Sequence, residues 1–168
     1  MDEEERVSRD LIAAETALPL RYLDCRIGRI EAEGVLDGGA QIVIVSKRLW
    51  QETGQALDES RQLTLEAANN TKNRTVGLLA NLPVVIGGIT FYLQAYVVED
   101  APFDLLLGRP FYGLTCANET SDESGATYIS LADPNSDRAV RLPTKARLPP
   151  RPSPPVATTA AVSVLPHF

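Results

Sequence analysis

Val35-Leu36-Asp37-Gly38-Gly39-Ala40-Gln41-Ile42-Val43-Ile44-Val45 is the stretch that decides how this chain is read. An acid stands at the end of a β-like run. Two glycines follow, residues that permit backbone angles closed to others. After a small residue comes Ile42–Val45, continuously apolar and β-branched, the pattern of a strand buried on both faces. The stretch predicts a carboxylate on a tight turn between two rigid strands.

The β pattern continues on both sides. Upstream, Leu23, Cys25 and Ile27 alternate with Asp24, Arg26 and Gly28; then Ile30, Ala32, Gly34 and Leu36 alternate with Glu31, Glu33 and Val35. This predicts two half-buried strands meeting near Gly28. Downstream, Lys47 to Glu52 reads as a short helical turn carrying Leu49 and Trp50 and stopped at Gly54. Leu63, Leu65 and Ala67 alternate, residues 69–74 form a polar tip, and Val76 to Leu82 returns, giving a hairpin that Pro83 punctuates. Val84–Ile86 and Ile89–Val98 flank Gly87-Gly88, the signal of a two-residue hairpin turn. Leu105-Leu106-Leu107 is a short buried run closed by Gly108-Arg109-Pro110, and Pro110 suits the first turn of a helix reaching Thr115. Residues 117–125 read as a polar loop. Tyr128–Leu131 and Ala139–Leu142 flank the turn Asp133-Pro134-Asn135 as a last hairpin. The expected class is all-β with one or two short helices.

Three segments follow from composition. Residues 1–19 are an acidic extension in which Ser8 caps a short helix through Ala17, ended by Pro19. Residues 20–144 form the domain. Residues 145–168 are a proline-rich tail, expected to be disordered or polyproline-like, since seven of the chain's 12 prolines lie in residues 143–168. Its Pro149–Pro155 run resembles a ligand for proline-binding modules, with a plain spacer as the simpler reading.

Charge and histidine content remove whole classes of function. A formal net charge of -6 argues against general affinity for nucleic acid or anionic membrane. No apolar run has the length of a spanning helix, and the acidic start is unlike a signal peptide, so the expectation is a soluble, intracellular protein. His167 is the single histidine, which leaves no base for a Ser-His-Asp or Cys-His hydrolase and no ordinary zinc set. Neither metal nor cofactor is expected. Cys25 and Cys116 are read as two buried thiols. Chemistry, if present, falls to carboxylates.

Here the chain resembles the retropepsins, the aspartic proteases of retroviruses and long-terminal-repeat retroelements. Val35–Ala40 looks like their Asp-Thr/Ser-Gly-Ala turn. About 70 residues later, Asp104-Leu105-Leu106-Leu107-Gly108-Arg109-Pro110 looks like the second signature of gypsy-type elements. Asp133-Pro134-Asn135 with Leu142-Pro143-Thr144 looks like the carboxy-terminal hairpin of a fungal branch. The resemblance spans roughly residues 20–144 and implies a closed β-barrel with a flap hairpin. It implies Asp37 as the catalytic acid, Gly38, Gly39 and Ala40 as its turn, and Leu107, Gly108 and Arg109 as a structural second motif. Ala68, Asn69, Asn70 and Thr71 become flap residues over a peptide or polyprotein substrate. One Asp-Gly-Gly per chain implies a homodimer, because a carboxylate pair sharing one proton needs two such turns. Two departures stand out. Gly38 occupies the place of a Thr or Ser whose hydroxyl bonds across the dimer. Gln41 replaces an acid that often pairs with the second-motif arginine, so Arg109 pairs elsewhere, with Asp104 as one candidate, or stays on the surface. These departures keep a second reading open: a catalytically inactive retropepsin-like dimerisation or peptide-binding domain.

Overall fold

The computed structural model describes residues 11–67, 69–148 and 162–164. Arg21–Ile27 (β1) and Ile30–Leu36 (β2) form an antiparallel pair turning at Gly28, whose φ of 60° is open to glycine. Val43–Ser46 (β3) is buried along its whole length and runs straight into the helix Lys47–Thr53 (α1). Ser46 caps that helix, its Oγ accepting from the Leu49 N–H at 3.1 Å, and Gly54 ends it at φ 65°. Thr64–Ala67 (β4) and Lys72–Arg74 (β5) make a short hairpin. Gly77–Ile86 (β6) and Ile89–Val98 (β7) make a long one. Leu105–Leu107 (β8) leads into the helix Arg109–Thr115 (α2). Asn118–Ser121 (β9), Thr127–Ala132 (β10) and Ala139–Pro143 (β11) form a separate three-stranded sheet. Lys145–Ala146 (β12) adds to β1, and Val162–Val164 (β13) adds to β4.

The main sheet runs β1-β2-β8-β3-β7-β6, and Arg26 pairs with Val85 to bring β6 back to β1. The result is a closed six-strand barrel, which removes the open edges a sheet of this size would otherwise expose. β8 enters between β2 and β3, parallel to the first and antiparallel to the second. That insertion puts the Leu-Leu-Leu run beside the strand that ends at Asp37.

Two apolar clusters hold the barrel. One gathers Leu23, Ile27, Val45, Phe91, Leu105, Leu107 and Phe111, with Phe91 and Phe111 edge to face at 6.1 Å between ring centres. The other gathers Val35, Ala40, Ile42, Ile44, Leu63, Leu65, Phe103 and Leu106. Strands between two clusters bury both faces, which is why Val35, expected on the solvent side of β2, is buried.

Several local expectations meet a different outcome. Lys72–Arg74, read as part of a polar tip, is a strand, and it pairs with β4 in place of Val76–Leu82, which belongs to the β6–β7 hairpin. Val162–Val164, placed in a disordered tail, pairs with β4. Pro83 does not interrupt the chain but lies within β6. The irregularity sits just before it, where the register slips between Leu79 and Leu82 and Asn81 takes φ 52°. Gln94 secures this bulge, accepting from the Asn81 N–H at 3.0 Å and donating to its Oδ1 at 2.7 Å. Residues 118–121 are a strand rather than loop, since pairing with β10 satisfies the backbone although every β9 side chain is exposed. Lys145–Ala146 belongs to the sheet rather than to the tail. No helix forms in residues 11–17, where Leu11 and Ile12 are exposed; a short segment with no face to bury cannot offset the cost of nucleation. The Ser8 cap and the Pro149–Pro155 run lie outside the described residues.

Candidate active site

Asp37 follows β2 directly and is half-buried, with Gly38 and Gly39 exposed beyond it. Its backbone is held first: the Asp37 N–H donates to Leu107 O at 3.1 Å, extending the β2–β8 ladder by one residue. The Ala40 N–H closes the turn on Asp37 O at 3.1 Å, and the Arg109 N–H donates to Ala40 O at 2.7 Å. The side chain is held next, with Oδ1 accepting from the Gly39 N–H at 3.0 Å. The carboxylate is thereby oriented from within its own turn, and Oδ2 has no partner among the described residues.

Gly108 makes this latch possible. A Cβ there would lie 2.0 Å from Ile42 O and 2.8 Å from Ala40 O, so backbone fills the space. Gly38 is the opposite case. A Cβ there would meet only Tyr112 Cζ at 3.8 Å and an Arg109 guanidinium nitrogen at 4.0 Å. Gly38 and Gly39 are not at positive φ, so the glycines of this turn are not needed for a left-handed backbone.

Arg109 does not reach Asp104, the one acid that sequence reasoning offered it, and stays on the surface, the other outcome it allowed. Asp104 pairs with Arg48, and Gln41 is exposed. The Arg109 guanidinium lies over the Tyr112 ring, 5.5 Å from its centre. Tyr112 in turn donates its hydroxyl to Glu119 Oε1 at 2.6 Å. Burial, reinforced by the Glu119 carboxylate, pushes the Tyr112 hydroxyl above its ordinary pKa, so it stays a donor. Sequence reasoning missed Tyr112 and Glu119. The i,i+3 spacing of Arg109 and Tyr112 on α2 was the available signal for the first. Glu119 gave none, because it comes from an exposed strand.

The β4–β5 hairpin rises from the second cluster, where Leu63 and Leu65 pack with Ala40 and Ile42. Its root is fastened by Thr75, which donates N–H to Leu63 O at 2.9 Å and accepts from the Leu63 N–H at 2.8 Å. At the tip, Asn69 Oδ1 accepts from the Thr71 N–H at 3.1 Å and Asn70 takes φ 64°. Ala68 lies outside the described residues. A polar concavity of about 510 Å³, lined in part by Arg48, Asp100, Asp104 and Arg147, does not include Asp37. Among the described residues, no group of three or more His, Cys, Asp or Glu side chains is arranged to hold a metal ion. Nor, among them, is any helix long and apolar enough to cross a membrane.

Among solved structures, the retroviral protease-like domain of Ddi1 from Leishmania major is similar at 23% identity and a TM-score of 0.49, covering 59% of this chain and 80% of that one. A retropepsin-like aspartic protease from Rickettsia conorii is similar at 20% identity and a TM-score of 0.47, covering 66% of this chain and 96% of that one. Among curated protein sequences, none matches significantly. The family model for gag-polyprotein putative aspartyl proteases matches residues 23–112, more than half of the chain, from β1 through the Arg109–Tyr112 turn of α2. The chain therefore belongs to the gag-polyprotein putative aspartyl protease family and carries a retropepsin-like aspartic protease domain.

Proposed function

We propose that this chain is one half of a homodimeric aspartic endopeptidase that processes a retroelement polyprotein, of gypsy type and fungal origin on its motifs. The observation that carries the reading is the Asp37 turn, fastened to Leu107–Arg109 with one carboxylate oxygen left free. Two such turns facing each other across a two-fold axis bring two carboxylates within about 3 Å, where both cannot ionise and one proton is shared. The charged carboxylate takes a proton from a water as it attacks the scissile carbonyl carbon. The protonated one donates to the carbonyl oxygen, and the tetrahedral intermediate then collapses with the proton passed to the leaving amine. The β4–β5 hairpin, with Asn69, Asn70 and Thr71 at its tip, supplies the flap that closes on an extended peptide. Residues 20–144 form the catalytic unit on this reading.

Peptide cleavage measured against protein concentration tests it. Specific activity rises with concentration as dimer forms. Asp37→Asn abolishes cleavage while circular dichroism stays that of the parent. If Asp37→Asn cleaves at the parent rate, the site is not Asp37. A second reading, a dimerisation or peptide-binding domain without catalysis, draws on Gly38 and Gln41, which remove a cross-dimer hydroxyl and an arginine partner. Firm dimers that bind peptide but cleave none under any condition favour it.

A further inference from the structure

Gly38 leaves a space where the turn must meet its symmetric copy. Carboxylates about 3 Å apart place the two Asp37 turns in contact at the axis, so the exposed face of Gly38 confronts the partner's turn. The Asp37 and Ala40 carbonyls are already bonded within the chain, which leaves the Gly38 and Gly39 carbonyls and one carboxylate oxygen of each turn to find donors at that axis. Gly38 has no side chain to give. The direction its Cβ would take leads to Tyr112 Cζ at 3.8 Å and to the Arg109 guanidinium, a nitrogen of which is 4.0 Å away. That guanidinium is exposed, has no carboxylate partner among the described residues, and rests on a ring pinned by Glu119. It is a preorganised cation beside the turn with donors unspent.

Resting on the dimeric reading above, we propose that Arg109 is a positioning residue that acts across the dimer. Its guanidinium passes through the space left by Gly38 and donates to the backbone oxygens of the partner's Asp37 turn, holding the two turns together. Tyr112 and Glu119 form the shelf that keeps it aimed there. No bond is made or broken. The group supplied by each chain completes the site of the other.

A cycle of four proteins tests this: the parent, Arg109→Ala, Gly38→Thr and the double variant, with dimer dissociation constants from sedimentation. Arg109→Ala retains the backbone N–H that latches Ala40, so its monomer folds as the parent does. Loss of two charge-assisted bonds per dimer weakens association by about tenfold or more. A Thr at position 38 places a hydroxyl in the same space, so Gly38→Thr changes the parent by only a few-fold yet restores most of the dimer in the Arg109→Ala background. A merely structural arginine shows no such rescue. If Arg109→Ala dimerises like the parent, or the two effects simply add, the proposal fails while the dimeric protease stands. If the parent forms no dimer at any concentration, both fail together.

Discussion

At the scale of single residues, the glycines beside the site divide by what surrounds them. Gly108 sits against the carbonyls of Ile42 and Ala40, and a methyl group there has nowhere to go. Gly108→Ala therefore destabilises the fold by at least about 3 kcal/mol, seen as a lowered urea midpoint. Gly38→Ala, with nothing closer than 3.8 Å, leaves monomer stability within about 0.5 kcal/mol. Equal effects of the two changes would overturn this account. The cysteines divide as well. Cys25 is buried against Gly34 and its thiol donates to Leu23 O at 3.5 Å, whereas Cys116 is exposed rather than buried as its sequence context suggested. Burial pushes the Cys25 thiol up to about 12 from an ordinary value near 9. The thiol is then neutral in the folded state while the unfolded chain ionises, so this contribution to stability is full below about pH 9 and is lost as pH rises from 9 towards 12. Iodoacetamide at pH 8 should label Cys116 alone; native labelling of Cys25 contradicts the burial. Sequence reading singled out Asp37 and Arg109, because an acid before two glycines and a Gly-Arg-Pro are local patterns. It did not locate the Arg109–Tyr112–Glu119 contact, which joins a helix to a strand that only pairing with β10 creates.

At the scale of elements, periodicity made the barrel strands legible, and turn chemistry made their hairpins legible. β1, β2 and β7 follow the alternation of their residues, and β3 follows its unbroken apolar run, whereas β6 was read as two pieces because Pro83 and the bulge before it break its pattern. The strands that escaped notice include β5, β9 and β12, which bury almost nothing and owe their existence to a partner's backbone, and β13 in the proline-rich tail. The β4–β5 hairpin lies between these cases: its root is apolar and its tip is not. Thr75 decides how firmly it stands, being buried and bonded both ways to Leu63. Thr75→Val keeps the shape but strands the buried Leu63 N–H, at a cost of about 1–3 kcal/mol. The loss is local, so hydrogen exchange should quicken in residues 63–75 and stay near parent values in β1, β3 and β7. Uniform quickening across the barrel would show that the hairpin is not a separate unit.

For the whole molecule, the sharpest question is where the folded domain ends. Composition placed the boundary after Thr144, where prolines begin to accumulate. The contacts run further. Arg21 donates through Nε to Thr144 Oγ1 at 2.9 Å and through its guanidinium end to Thr144 O at 2.6 Å. Tyr22 and Arg21 then pair with Lys145 and Ala146, and the Arg147 N–H donates to Leu20 O at 2.8 Å. These bonds tie the end of the domain to its first strand, which pairs along its length with β2, the strand that leads into Asp37. Proline count could not reveal them, because two paired residues leave no periodic signal. A chain ended after Leu148 keeps them all and, among the described residues, loses β13, whose three residues pair with β4 and with no barrel strand. Its melting temperature should lie within ~5 °C of the parent, about 1 kcal/mol for a domain of this size. A chain ended after Thr144 loses β12 and the Arg147 bond, leaves the β1 edge unpaired, and should melt more than ~5 °C lower. Identical melting of the two truncations would move the boundary back to residue 144. A large loss in the longer one would mean that β13 supports the barrel through β4.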